Sequence, residues 1–211
     1  MLLFFAARAG AYTIPYEMWM GTYIGEKKVG WLSLNIDNCE YEGVKGYKVT
    51  TVVTNHLKVL GSDMTQVVTT TCYTDKKYSP LAEDFSMSSG GKTTSVKSKF
   101  GKASIECEVS DGTAPTRKSI PIPDGAPIIA DPLFTTSDAA PVAGAEYNVR
   151  YFSPLTFALE GLKVKVGRLE KLTVLGKEYY TVRSENDTPM GYTTVWQEPD
   201  GAVVQIKGIM D

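Results

Sequence analysis

The 211-residue chain has one histidine, three cysteines and no large excess of either charge: 22 lysines and arginines stand against 24 aspartates and glutamates. A lone His56 cannot build a multi-histidine metal site, and no cysteine lies near it at metal-ligand spacing. The basic residues are scattered along the chain, which argues against nucleic acid as a partner and against a polybasic membrane patch. No run is long and apolar enough to span a bilayer, so we do not expect a transmembrane protein.

Most catalytic signatures are also missing. The sequence contains no glycine-rich phosphate loop between a strand and a helix and no Gly-x-Ser-x-Gly elbow. Its densest acidic pair in a predicted strand is Glu83-Asp84, and adjacent strand residues point to opposite faces, which does not suit paired-carboxylate catalysis. We therefore predict a protein that is not an enzyme and has no cofactor.

The cysteines leave two alternatives open. A nucleophilic pair of His56 with Cys39, Cys72 or Cys107 would make the protein a hydrolase, although none of the three cysteines begins a helix, where a thiolate is favoured. A Cys39–Cys72 disulfide is also open. Cys107 shares its predicted face with Ile105 and Val109, so we expect it in the core as a small apolar side chain.

Alternation with a period of two dominates the sequence. From Ala103 to Ser110, apolar and polar residues strictly alternate, which is typical of a half-buried β-strand. The same pattern, or a version rich in valine, threonine and tyrosine, recurs through most of the chain, and no segment of similar length has helical spacing. We predict an all-β fold: one large antiparallel meander forming a curved sheet or half-open barrel, with a β-sandwich as the alternative.

The predicted strands are separated by short turns that are rich in glycine, aspartate and lysine. The strands are expected at 16–23, 29–39, 47–60, 64–74, 81–88, 92–100, 103–110, 116–122, 147–152, 162–174, 179–186, 192–198 and 202–207. Strand 116–122 has prolines near its end, which places it at a sheet edge.

Two segments depart from this pattern. Residues 123–144 contain four prolines and read as a long crossover loop, with a short helix near Ile128–Thr135, that covers one end of the sheet; an ordered loop without a function is the alternative. Residues 1–11 read as a shortened signal peptide with a small-x-small cleavage site. We therefore expect a single β domain at 12–211 that is exported to the periplasm or the extracellular space; the alternative is an N-terminal strand.

Methionines on the predicted strands provide the candidate binding residues. Methionine adapts to ligands of variable shape, and several methionines fall on the same parity as other apolar residues. The candidate lining consists of Met18, Met20, Leu32, Leu34, Ile36, Met64, Met87 and Phe134. Ordinary core packing is the alternative for each of them.

Several short motifs resemble a known kind of domain. The segments Tyr16–Tyr23 and Gly25–Trp31, the threonine-rich strand that ends at Thr71–Asp75, and Val195–Gly201 are similar to the uncharacterised exported β-rich domain found before transglutaminase-like cores in bacterial secreted proteins. The likeness extends from about Tyr16 to Lys207. It implies the non-catalytic part only, because the Cys, His and Asp of such a core do not follow. A weaker resemblance is to half-open β barrels that carry lipids or lipoproteins across the periplasm.

Two functions of different classes follow. The first is an exported, non-enzymatic binding module that holds an apolar or amphiphilic, lipid-like ligand in the concave face of a curved sheet. The alternative is a structural or protein-interaction module of the bacterial cell envelope, with an envelope protein as partner and no small-molecule ligand.

Overall fold

The computed structural model describes residues 14–24, 27–59, 61–124, 127–130, 142–188, 191–199 and 202–209. The predicted signal peptide, the candidate residue Phe134 and most of the crossover loop at 123–144 lie outside these ranges. Within them the fold is all-β, as predicted. The strands are β1 (Tyr16–Ile24), β2 (Lys27–Tyr41), β3 (Val44–Val59), β4 (Ser62–Asp75), β5 (Pro80–Ser89), β6 (Lys92–Phe100), β7 (Ser104–Ser110), β8 (Thr116–Pro121), β9 (Ile128–Ile129), β10 (Glu146–Ser153), β11 (Ala158–Val174), β12 (Lys177–Thr188), β13 (Gly191–Gln197) and β14 (Val203–Ile209).

The strands form two sheets, and the chain divides into two compact units. We call Ile14–Gly125 with Ser153–Ala158 the N-terminal unit, and Ala126–Phe152 with Leu159–Asp211 the C-terminal unit. None of the described residues forms a helix long and apolar enough to cross a membrane. The prediction of a single domain at 12–211 stays a prediction.

The N-terminal unit contains an 8-stranded sheet in which β1 to β8 follow one another in chain order. All neighbours are antiparallel, and the tight turns between them explain this meander, because a short turn can join only antiparallel neighbours. The two edges are β1 and β8. The prediction that residues 116–122 form an edge strand is confirmed, and Pro121 at the end of β8 fits an edge because it has no N–H to donate.

Alternating burial gives this sheet its core. In β7, Ile105 and Cys107 are buried while Glu106 and Glu108 are exposed, as the sequence pattern predicts. On β2 the buried residues include Leu34, together with others of the same parity. The buried apolar side chains of these strands therefore lie on one face of the sheet.

The C-terminal unit contains a 6-stranded sheet in the order β14-β13-β12-β11-β10-β9. Tyr151, Leu162, Val164 and Val166 form its buried apolar cluster. The predicted helix near Ile128–Thr135 is wrong at its start, because Ile128 and Ile129 form strand β9, which pairs in parallel with Arg150 and Tyr151. The side chains of two consecutive β-branched residues pack well on a sheet, which favours a strand here.

Candidate functional site

The most distinctive feature of the N-terminal unit is a row of side chains that crosses six strands. Residues directly opposite each other in antiparallel strands project to the same face, so the register defines the row from end to end. We call it the methionine row: Met20, Leu32, Val53, Val68, Met87 and Thr94. Leu32 is buried, and the other five are only half-buried, so the row is an apolar strip that a ligand can reach.

A second row, nearer the strand ends, is polar. The polar row consists of Thr22, Gly30, Asn55, Gln66, Ser89 and Lys92. The Thr22 hydroxyl donates to Asn55 Oδ1 at 2.8 Å, and Gln66 Nε2 donates toward Met87 Sδ at 3.9 Å. The two rows are therefore adjacent and in contact, with hydrogen-bonding groups along one side of the apolar strip.

Met64 extends the apolar surface beyond the polar row. It lies opposite Leu57 on β3, and its Sδ accepts a hydrogen bond from Ser89 Oγ at 3.2 Å. Both Met64 and Leu57 are half-buried. Flexible, polarizable thioethers thus lie on both sides of the polar row and can adapt to a ligand of irregular shape.

Toward the other end of the strands the same face is sealed. Met18 pairs with Leu34, and Tyr16 pairs with Ile36. Leu34 and Ile36 have no exposed surface (0%), so protein atoms cover them completely. These inner residues hold the strands together, while the outer methionines remain accessible.

The register places all seven described candidate residues on one face. They are Met18, Met20, Leu32, Leu34, Ile36, Met64 and Met87. That they bind a ligand stays a prediction, and the accessible ones are Met20, Met64 and Met87. Sequence reasoning missed the polar row, although its members occur every second residue beside the apolar ones.

The cysteines and His56 lie apart. Cys72 and Cys107 project to the face of the methionine row, whereas His56 projects to the opposite face, where its ring lies 5.5 Å from that of Trp31. The sheet therefore separates this histidine from both thiols. Cys39 is on the face of His56 but pairs with Gly46, ten residues away along β3, or roughly 33 Å at the rise of a strand. No Cys–His pair forms among the described residues.

None of the three cysteines, all of which lie among the described residues, forms a disulfide, so the Cys39–Cys72 disulfide considered from the sequence is not formed. The two residues project to opposite faces, which explains why they do not meet. Cys107 is buried as expected, and its burial raises the pKa of its thiol. Burial likewise raises the pKa of Cys39. Both shifts favour the unreactive thiol over the thiolate.

The opposite face of the N-terminal sheet carries a shallow concavity of about 450 Å³, lined by charged and aromatic side chains. One row across it reads Asp84, Lys97, Glu108 and Arg117, so that each charge lies beside an opposite one. Exposed cross-strand charge pairs of this kind contribute little and neutralise one another. This surface therefore has no charge preference for a ligand.

In the C-terminal unit a groove of about 370 Å³ is lined by Asn148, Lys163, Asp187 and Thr188 among others. Nearby, the Tyr151 hydroxyl donates to Glu160 Oε2 at 2.5 Å. Burial and this carboxylate raise the pKa of Tyr151 well above its ordinary range. The pair is a satisfied buried hydrogen bond, which a core tyrosine usually needs.

Comparison with known proteins supports the fold and gives no activity. No family model matches the chain, and no curated protein matches it. Among solved structures, it is similar to the beta-barrel-like protein of domain of unknown function DUF1849 from Brucella abortus. The TM-score is 0.55 at 9% sequence identity, over 93% of this chain and 89% of that one. This likeness agrees with an uncharacterised β-rich domain.

Proposed function

We propose that this protein is a non-enzymatic binding module for an amphiphilic molecule. The apolar part of the ligand lies along the methionine row, and its polar head group lies at the polar row. The observation that supports this best is the half-burial of Met20 and Met87 on the same face of the sheet on which Leu34 and Ile36 are fully buried. Apolar side chains left half-exposed in a continuous strip often mark a binding site.

The polar row supports an amphiphile over a purely apolar ligand. Asn55, Gln66 and Ser89 present amide and hydroxyl groups beside the apolar strip. A purely apolar molecule lying across both rows would remove the water from these groups without replacing its hydrogen bonds, which costs free energy. A head group that can donate and accept hydrogen bonds avoids this cost.

The test is a titration with monomeric lysophosphatidylcholine, kept below its micelle concentration and followed by calorimetry and by native mass spectrometry. We expect a one-to-one complex. Met87→Gln should weaken it by about tenfold or more, since removing a buried methionine from an apolar contact costs roughly 1.5–3 kcal/mol. Val67→Gln is the matched control, because Val67 is also half-buried but projects to the other face.

No complex at any accessible concentration would reject the proposal. Equal losses for Met87→Gln and Val67→Gln would reject the assignment to the methionine row. Retention of full binding by Met87→Gln would do the same. In the first case the envelope-protein alternative becomes the better hypothesis, and a pull-down from envelope extracts is the next measurement.

We also propose that the module is exported and that residues 1–11 are removed. Mass spectrometry of the mature chain from the periplasmic or secreted fraction should give a start at Tyr12. A chain that keeps Met1 and stays in the cytoplasm would contradict export.

A further inference from the structure

Four connections of the N-terminal sheet turn at the same end. The connections β1–β2, β3–β4, β5–β6 and β7–β8 alternate with those at the other end, as a meander requires. We define the hairpin end as residues 22–24, 27–29, 57–59, 62–64, 89, 92 and 110–116. The polar row lies at this end, and Met64 lies beyond it, so the amphiphile site proposed above opens here.

The hairpin end collects lysines that are far apart in the sequence. Lys27, Lys28, Lys58 and Lys92 all lie there and are exposed. Across the described part of the hairpin end, Asp63 and Asp111 are the two carboxylates. The four lysines therefore give the described residues of this end a positive excess, although the whole chain has a net charge of −2. These lysines are scattered along the sequence, and they come to the same end of the sheet only because the hairpins form.

Three exposed aromatic rings lie on the face opposite the methionine row, and one of them, Tyr23, pairs across the strands with Lys28 of the hairpin end. Trp19 is 62% exposed, Tyr23 55% and Trp31 38%. Each ring has a defined neighbour. Trp19 Nε1 donates to Glu17 Oε1 at 2.7 Å, Trp31 lies against His56, and the Tyr23 ring is 2.7 Å from where a Cβ on Gly21 would be.

We propose that the hairpin end docks onto the surface of an anionic lipid bilayer. Tryptophan and tyrosine favour the interface, where the ring is in an apolar environment and the polar tip is hydrated. Lysines near an anionic surface contribute about 1 kcal/mol each to binding. Because the polar row lies at this same end and the methionine row lies next to it, docking places the mouth of the amphiphile site at the level from which an amphiphile leaves the bilayer. The biological role of this docking rests on the proposed function, whereas the vesicle experiment that tests the docking does not.

The experiment is co-sedimentation of the full chain with vesicles of phosphatidylglycerol and phosphatidylcholine mixed, and with vesicles of phosphatidylcholine alone. We expect binding to the mixed vesicles that falls as salt is added. Lys28→Gln/Lys58→Gln should weaken it by about 30-fold, which is about fivefold per lysine. Lys77→Gln/Lys102→Gln is the matched control, since these exposed lysines lie in turns at the other end of the sheet, and it should bind like the unchanged chain.

The aromatic contribution has its own control. Tyr23→Ser should weaken vesicle binding, whereas Tyr180→Ser, at an equally exposed tyrosine of the C-terminal unit, should leave it unchanged. Equal binding to both vesicle types, or equal losses in the two lysine variants, would overturn the proposal. So would equal losses in the two tyrosine variants.

Failure of docking and failure of the amphiphile site give different results. Met87→Gln should bind monomeric lysophosphatidylcholine more weakly and bind vesicles as the unchanged chain does. Lys28→Gln/Lys58→Gln should bind vesicles more weakly and bind monomeric lysophosphatidylcholine as the unchanged chain does. An unchanged chain that binds the monomer and no vesicle rejects docking alone, and one that binds vesicles but no monomer rejects the amphiphile site alone.

Discussion

Met20 on β1 and Met87 on β5 lie on one cross-strand row, connected through the register partners Leu32, Val53 and Val68. Four strand spacings separate the two methionines, or roughly 19 Å along the sheet. An elongated ligand can therefore contact both ends of the row at once. Because each contact is made by a side chain on a different strand, the site depends on the register of the whole sheet.

The fully buried residues of this face should contribute more to the free energy of unfolding than exposed residues do. Leu34→Ala should lower the free energy of unfolding by about 2–5 kcal/mol, because it leaves a cavity at a fully buried position. Leu175→Ala, at a side chain that is 96% exposed, should change it by less than about 0.5 kcal/mol. Urea denaturation of both variants checks this. Similar midpoints for the two would contradict the burial of Leu34.

The close approach of β2 to β3 at Gly30 should tolerate no side chain. A Cβ at Gly30 would lie 1.8 Å from the backbone oxygen of Thr54, and a backbone atom cannot move aside without disturbing the strand pair. Gly30→Ala should therefore destabilise the fold by several kcal/mol, because overpacking and backbone strain are among the few causes of such large effects. Thermal unfolding measures it.

Gly161→Ala is the control for that experiment. A Cβ at Gly161 meets no atom within 4 Å, so alanine should be neutral or stabilise the fold by about 0.4–1 kcal/mol through the unfolded chain. If Gly30→Ala unfolds at the same temperature as Gly161→Ala, the strands do not approach each other as described.

Much of this architecture could be predicted because each strand carries its own signal. The strand at 92–100 is observed with the same bounds, as Lys92–Phe100. Parity within a strand also placed Met18 beside Met20, and Leu32 beside Leu34. Strand β9 was missed because two residues, Ile128 and Ile129, are too few to show a period. It also pairs in parallel with β10, which is not its neighbour through a short turn.

The accessible part of the site could not be predicted in the same way. A period of two tells which residues share a face, but not which of them other atoms will cover. Leu34 and Met20 project to the same face of the sheet, but Leu34 is fully buried and Met20 is accessible. The lysine group at the hairpin end could not be predicted for the same reason. Lys28 and Lys92 are far apart in the sequence, and only the pairing of the strands brings both to this end of the sheet.

The cysteines should react with iodoacetamide in a defined order. Cys39 is half-buried, whereas Cys72 and Cys107 are buried, and thiolates form and react only where solvent and reagent reach them. Peptide mapping after brief labelling of the folded chain should show Cys39 modified first. Equal labelling of all three residues in urea is the control for intrinsic reactivity. Early modification of Cys107 in the folded chain would contradict its placement in the core.

Acidification should weaken the strand pairs around Glu106. Its Oε1 accepts hydrogen bonds from Ser119 Oγ at 2.6 Å and from Ser104 Oγ at 2.7 Å. These bonds, with that from Ser119 the stronger cause, lower the pKa of Glu106 below the ordinary 4.5. The folded chain therefore binds this proton less tightly than the unfolded chain does. The resulting stabilisation is present above pH 4.5 and is lost as the pH falls through the folded value.

Carbon-detected NMR of the Glu106 carboxyl, titrated from about pH 6 to about pH 3, measures this pKa directly. Ser119→Ala should raise it toward 4.5, because the main donor to the carboxylate is gone. Thr116→Ala, at an exposed residue of the same strand, should leave it unchanged. The same Ser119→Ala chain should lose less stability on acidification, since its folded and unfolded pKa values are closer. A Glu106 pKa that is identical in the unchanged chain and in Ser119→Ala would show that this hydrogen bond does not hold the carboxylate.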